Sequence, residues 1–379
     1  MDKFDDLRPY YISEIPQAMQ RIADSPYLPA MAKFVFPDKE IDEVRSLLLK
    51  IQTIDEFQFQ VMYYFNQSVI NSSIKNFTSS GIKYLDPEAN YLFVSNHRDI
   101  VLDSSLMQYI FYLNSLRTTE ITFGSNLMST QLAVDIGRSN KMFKVVRGGS
   151  IRDFYKNSLH LSEYIRYTVT EKKESIWIAQ RNGRTKNGND ATDQGIIKMF
   201  CMSNPKDPVA SLHDLHIVPI AISYEIEPCD ILKTKELYLS RDGREYVKKE
   251  GEDLHSILTG ITQYKGNVHF SVCEPIRHEE LRLIAESCPN EFHKKVASLI
   301  DKRIYKNYKL HSNNYIAHDI RSKKDHYKTY YTAEEKERFV QRQCRMLNDV
   351  DGDKNVLDVI FLDIYANPVE NAIVNHADQ

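Results

Sequence analysis

The chain has 379 residues, 42% of them hydrophobic and 27% charged, enough for one large domain or two ordinary ones of globular composition. A formal net charge of −3 excludes nucleic-acid binding through overall basicity, so no nucleic-acid partner is expected. No run of about 18 uninterrupted apolar residues occurs, so no membrane-spanning helix is expected. The acidic start Met1-Asp2-Lys3-Phe4-Asp5-Asp6 does not read as a signal peptide.

Residues 1–80 read as a helical region. A short helix covers Ile41 to Ile51. Apolar residues from Ile54 through Val61, Val69, Ile74 and Phe77 recur at helical spacing and predict one long amphipathic helix. Its stripe suits either packing on the next domain or contact with a membrane surface. From Gly81 strands and helices alternate, which predicts an α/β domain over 81–312 with a mixed, mostly parallel sheet flanked by helices. The expected strands are 90–95, 119–123, 143–146, 174–180, 215–224, 235–240 and 267–272. The expected helices are 101–116, 150–170, 191–203 and 250–262. Pro219, inside the apolar run 217–222, should mark a strand end or a bulge. Residues 290–312 and 333–379 read as helical, and Ser312 to Tyr331 as a polar connector. Residues 313–379 thus form a C-terminal helical extension.

The five cysteines are scattered, without CxxC or metal-ligand spacing, and read as free thiols of a reducing compartment. Charge is uneven. Gly137 to Gly188 holds twelve Lys/Arg against four Asp/Glu, an excess of +8 in a chain of net −3. That basic middle fits an anionic ligand or an exposed basic face.

Four stretches carry chemistry. In Tyr91-Leu92-Phe93-Val94-Ser95-Asn96-His97-Arg98-Asp99-Ile100-Val101-Leu102-Asp103-Ser104 a strand-length apolar run ends at Asn96-His97, with carboxylates two and six residues beyond the His. His is the side chain suited to taking a proton near neutral pH, and an Asp can fix its tautomer. The same residues also fit a surface His beside Asp residues that cap a helix. Next, Phe143 and Arg147 precede Gly148-Gly149-Ser150 and a helix, as a phosphate cradle would, or as a plain turn would. Then Gln180-Arg181-Asn182-Gly183-Arg184-Thr185-Lys186 follows an apolar strand, placing three cations where α/β sheets bind ligands, or forming a solvated basic loop. Last comes Val218-Pro219, a core strand bordering the site. Two decoys fall away. His97-Arg98-Asp99 imitates a kinase triplet but lacks its Asn and an upstream Gly-rich loop. Asp349-Val350-Asp351-Gly352-Asp353 imitates a calcium loop but has Ile360 where the closing Glu belongs.

In order and spacing these blocks resemble the glycerophospholipid acyltransferase family, the glycerol-3-phosphate and 1-acylglycerol-3-phosphate acyltransferases. The resemblance covers about residues 90–276 and extends to Cys273-Glu274-Pro275-Ile276 late in the domain. It implies transfer of a fatty acyl group from acyl-CoA or acyl carrier protein to a hydroxyl of glycerol 3-phosphate or a lysophospholipid, with no metal and no further cofactor. It implies His97 as general base with Asp103 as its partner, and Asn96, Phe143, Arg147, Gly183, Arg184, Thr185 and Lys186 at the substrate. It also implies a cytoplasmic protein held peripherally on the inner face of the membrane. Two departures stand out. The family has four residues between His and Asp, which would fall on Leu102, so Asp99 stays a candidate beside Asp103. Arg181 stands where the family has a Glu that helps hold the glycerol. A phospholipid-binding protein without catalysis, or an acyltransferase for a lyso-amino-lipid, are the alternatives.

Overall fold

The computed structural model describes residues 3–146 and 148–377. Five N-terminal helices come first: α1 (Ile15–Ala23), α2 (Leu28–Val35), α3 (Ile41–Lys50), α4 (Ile54–Phe57) and α5 (Tyr63–Ser73). Between α4 and α5 the helix widens into a π-type segment over Gln58–Met62. Their apolar faces close on one another through Ile15, Met19, Leu28, Val44, Leu48 and Phe57. The long helix expected from Ile54 to Phe77 stops early. Ser73 turns its hydroxyl back onto Val69 O at 2.7 Å, and Ile74–Ser80 become β1 instead. Such back-bonding loosens a helix end, and the β1 backbone finds ladder partners in a distant strand.

The central sheet contains β1, β2 (Leu92–Ser95), β3 (Glu120–Gly124), β4 (Met142–Val145), β5 (Ile176–Ala179), β6 (Ile217–Tyr224) and β7 (Gly266–Val272), in the order β1-β7-β6-β2-β5-β3-β4. All neighbours are parallel except β6 and β7. Alternate side chains explain the two cores. Leu92, Val94, Ile176, Ile178, Ile217 and Ala221 face one layer, and Phe93, Trp177, Val218, Ile220 and Ile222 face the other. Each such buried side chain contributes about 1.5–3 kcal/mol. Pro219 sits inside β6, not at its end. Its carbonyl still accepts Cys273 N–H at 3.0 Å, so proline removes only the reciprocal bond, at the point where β7 ends.

The helices between strands are α6 (Leu102–Leu113), α7 (Gln131–Ser139), α8 (Ile151–Thr170), α9 (Gln194–Cys201), α10 (Pro208–His213), α11 (Asp230–Leu239) and α12 (Glu252–Thr262). Of residues 235–240, expected as a strand, 235–239 belong to α11 and Ser240 is its C-cap. The alternating Lys-Glu-Leu-Tyr-Leu suits a strand, but the α11 turn at Lys233 and Thr234 is buried and anchored in the centre of the molecule. Beyond β7 come α13 (His278–Ser287), α14 (Phe292–Asn307), α15 (Ser312–Ser322), α16 (Ala333–Asn348) and α17 (Lys354–Ala377). The polar stretch read as a connector from Ser312 is helical to Ser322, because Ile316 and Ala317 bury against α17. The 349–353 loop is the turn between α16 and α17. Among the described residues no helix is long and apolar enough to cross a membrane.

Candidate active site

β2 and β5 lie side by side in register, Ser95 against Ala179. Their carboxyl ends release two loops, 96–101 and 180–193, the position at which parallel sheets expose reactive groups. The loops are tied together: Gln180 N donates to Ser95 O at 2.8 Å, and Thr185 N donates to His97 O at 2.7 Å. The His97 block and the Gly183-Arg184-Thr185 block, 86 residues apart from His97 to Gly183, therefore meet.

His97 Nδ1 lies 2.9 Å from Asp103 Oδ2. The same oxygen accepts the backbone N–H groups of Arg98, at 2.5 Å, and Asp99, at 2.9 Å. Asp103 Oδ1 accepts the Tyr224 hydroxyl at 2.8 Å. Asp103 is wholly buried, in the first turn of α6. A carboxylate that takes four donors requires the proton on His97 Nδ1, which leaves Nε2 as an acceptor. That nitrogen has no hydrogen-bond partner among the described residues, and the ring is 12% exposed. Trp177 stands edge-on to the ring at 5.7 Å between centroids. The extra residue between His97 and Asp103 is absorbed in the irregular segment before α6. Asp99 has a different task there: its Oδ1 accepts Val101 N and Leu102 N and caps the helix. Its Oδ2 is buried without a partner, pressed against α12 at Gly260.

Beneath the loop lies a fully buried ionic network that the sequence did not announce. Arg98 reaches Asp190 at 2.5 Å and Glu227 at 3.1 Å, and Lys233 binds both Glu227 and the Arg98 carbonyl. Two cations face two anions. Burial works against the Arg98 charge, but Asp190 and Glu227 outweigh it and raise its pKa well above the usual guanidinium range. Burial, then Asp103 and Asp99, push the Tyr224 hydroxyl well above the phenol range, so it remains a donor. The signals available were Tyr224 and Glu227 just beyond a buried strand, and an Arg inside the His97 block.

The other expected residues divide. Asn96 is buried; its amide bridges Ile222 N and O on β6 and donates to Asp190 at 3.0 Å. Gly183 has φ +75°, a left-handed turn open to space. Arg184 is 9% exposed, lies beside the Cys229 thiol, and keeps one terminal nitrogen buried without a partner. Thr185 is buried and its hydroxyl is also unpartnered. The Lys186 ammonium pairs with Glu236 on α11. Phe143 is wholly buried on β4, its ring 5.0 Å from that of Tyr164, three strand positions from β2. Arg147 lies outside the described residues. Arg181 is partly exposed.

Residues 76–223 match the Acyltransferase family. Among solved structures, the 1-acyl-sn-glycerophosphate (LPA) acyltransferase PlsC of Thermotoga maritima is similar at 13% identity and TM-score 0.36, over 77% of this chain and 95% of that one. No curated protein sequence matches. The matched stretch takes in the His97, Arg184 and Pro219 blocks and leaves residues 1–75 and 224–379 outside it, so the likeness is to the Acyltransferase family over that stretch.

Proposed function

We propose that the protein transfers a fatty acyl group from a thioester, acyl-CoA or acyl carrier protein, to a hydroxyl of glycerol 3-phosphate or a lysophospholipid. His97 Nε2 takes the hydroxyl proton as that oxygen attacks the thioester carbonyl. The carbon–sulfur bond then breaks, and the imidazolium returns the proton to the departing thiolate. Asp103 holds the ring and stabilises its charged form. Arg184, with Arg147, grips the acceptor phosphate by charge-assisted bonds, while Lys186, paired with Glu236, steadies the loop. Transfer is direct, so neither an enzyme nucleophile nor a metal or cofactor is required. Holding both substrates in line supplies part of the roughly 7–11 kcal/mol available from orientation. The reactive unit is residues 81–312, with the helical regions at either side as additions. Lipid acceptors place the working protein peripherally on a membrane, at its cytoplasmic face.

The observation that carries this reading is the 2.9 Å contact of His97 with a buried Asp103, which leaves the other ring nitrogen unpartnered. Purified protein given labelled acyl-CoA or acyl carrier protein and a panel of glycerol 3-phosphate, lysophosphatidate and lyso-amino-lipids should form acylated product. His97→Ala should lower the rate by about 10²–10⁴. Arg181, in place of the family's Glu, favours one rival: a phospholipid-binding protein without turnover. Equal lipid binding by both forms, with no product from any acceptor, would establish that rival.

A further inference from the structure

A groove of about 640 Å³ lies outside the family domain's own residues, between α16 and the segment that leads from α12 into β7. One wall is a single face of α16 bearing Arg338, Arg342 and Arg345. The other side presents Tyr264 and Gln263, with Ile226 and Met346 supplying apolar surface. None of the lining residues is acidic. Arg342 is satisfied by both oxygens of Asp230, at 2.5 and 3.0 Å. Arg338 and Arg345 are exposed and form no hydrogen bond or ion pair among the described residues. Arg338 acts through space on Glu334, one turn earlier on its helix. Seven residues of helix set these two guanidinium groups roughly 10 Å apart along the axis. The Tyr264 ring is 52% exposed. The groove backs onto the active site, for Gln263 donates to Glu227 O at 3.1 Å and Glu227 pairs with Arg98, the neighbour of His97.

We infer that this groove binds the phosphorylated nucleotide end of a coenzyme A thioester. Its volume lies within the ordinary range of small-ligand sites, about 300–1,000 Å³. Two separate guanidinium groups without an ion pair among the described residues match a ligand with phosphates at two places, the pyrophosphate and the ribose 3′-phosphate. An exposed aromatic ring beside them suits a purine face. A concave site of this kind fits a nucleotide better than the convex acidic helix of a carrier protein. The inference rests on the acyl-transfer reading and selects its donor.

The test titrates coenzyme A and 3′-dephospho-coenzyme A into the full chain and into an Arg338→Ala/Arg345→Ala variant. Both positions are exposed, and an unchanged Tm confirms folding. The expected result is coenzyme A affinity lowered about tenfold or more in the variant, with discrimination against the dephospho form lost. The KM for palmitoyl-CoA should rise similarly and that for palmitoyl-pantetheine should not. The groove assignment is overturned if the unaltered chain fails to bind coenzyme A, if the variant binds it equally, or if only carrier-protein-dependent turnover falls. Loss of coenzyme A binding in a protein that acylates nothing would uphold the groove and remove the enzyme reading. Turnover with palmitoyl-CoA at unchanged KM would do the reverse.

Discussion

The Tyr224 hydroxyl donates a 2.8 Å hydrogen bond to Asp103 across 121 residues of sequence. It occupies the carboxylate oxygen that His97 does not use, and so fixes the plane of the group that orients the imidazole. Tyr224→Phe removes one of four donors and leaves the ring in place. The expected outcome is a fold that persists and a kcat/KM lowered about three- to tenfold. A less satisfied carboxylate holds the imidazolium more strongly, so the acid limb of the pH–rate profile moves upward. Rate profiles from pH 5 to 9 for both forms check this; a lowered rate with an unmoved limb would reduce Tyr224 to packing.

Asp103→Asn tests the charge of the group that orients the imidazole. The backbone N–H groups of Arg98 and Asp99 keep an amide oxygen toward His97 Nδ1, so the ring stays placed while the negative charge that would stabilise its protonated form is lost. Activity should fall by about 10³–10⁴ while lipid affinity is retained. Rate and binding measured on the same preparation separate the two effects.

Gly260 marks how tightly α12 is pressed onto the His97 loop. A Cβ there would stand 2.1 Å from Asp99 Oδ2. Gly260→Ala must push α12 away or shift the cap of α6, at a cost of about 1–3 kcal/mol. A Tm decrease of several degrees, with weaker activity from the displaced loop, is the expected readout.

Lys265 supplies a pH signature. Burial is the chief cause that lowers its pKa from the ordinary 10.5 to about 8, although its ammonium donates to Ser73 Oγ, Ile261 O and Gln263 O. Between pH 8 and 10.5 the folded chain binds fewer protons here than the unfolded chain. This group's contribution therefore makes stability rise with pH through that window, and its penalty is complete below pH 8. Urea unfolding from pH 7.5 to 10 should show that rise, and Lys265→Met should flatten it.

The α/β frame was legible because β2, β5 and β6 are nearly unbroken apolar runs, which only doubly covered strands require. The meeting of His97 with Asp103 was legible as spacing, although the competing Asp99 could be placed only by its hydrogen bonds to Val101 and Leu102. β1 was hidden because Ile74 and Phe77 continue a helical stripe by coincidence, and the choice was made by the unpaired edge of β7, 192 residues from Ile74. α11 was hidden for a related reason: its alternating outer residues resemble a strand, while Lys233 and Asp230 are drawn inward by Glu227, Arg342 and Tyr365. Charges that meet only after folding leave no periodic trace.

The four-membered set beneath His97 makes a stability test of its own. Arg98→Met would leave Asp190 in the interior without a cation and Glu227 with Lys233 alone, at a cost of about 3–5 kcal/mol for a broken buried pair. Adding Asp190→Asn should restore part of the loss, measurable as coupling in a double-mutant cycle. Either variant behaving as the unaltered chain in urea would show the charges to be dispensable.

Such a closed quartet also constrains ancestry. A lineage that discards Arg98 inherits an excess of negative charge it cannot hydrate, so its survivors are those that also surrendered Asp190 or Glu227. Lys233 is bound by the same rule. Among descendants of this chain these four positions should drift as a linked group, swapped wholesale for uncharged packing or kept whole, even where the surrounding loops diverge freely.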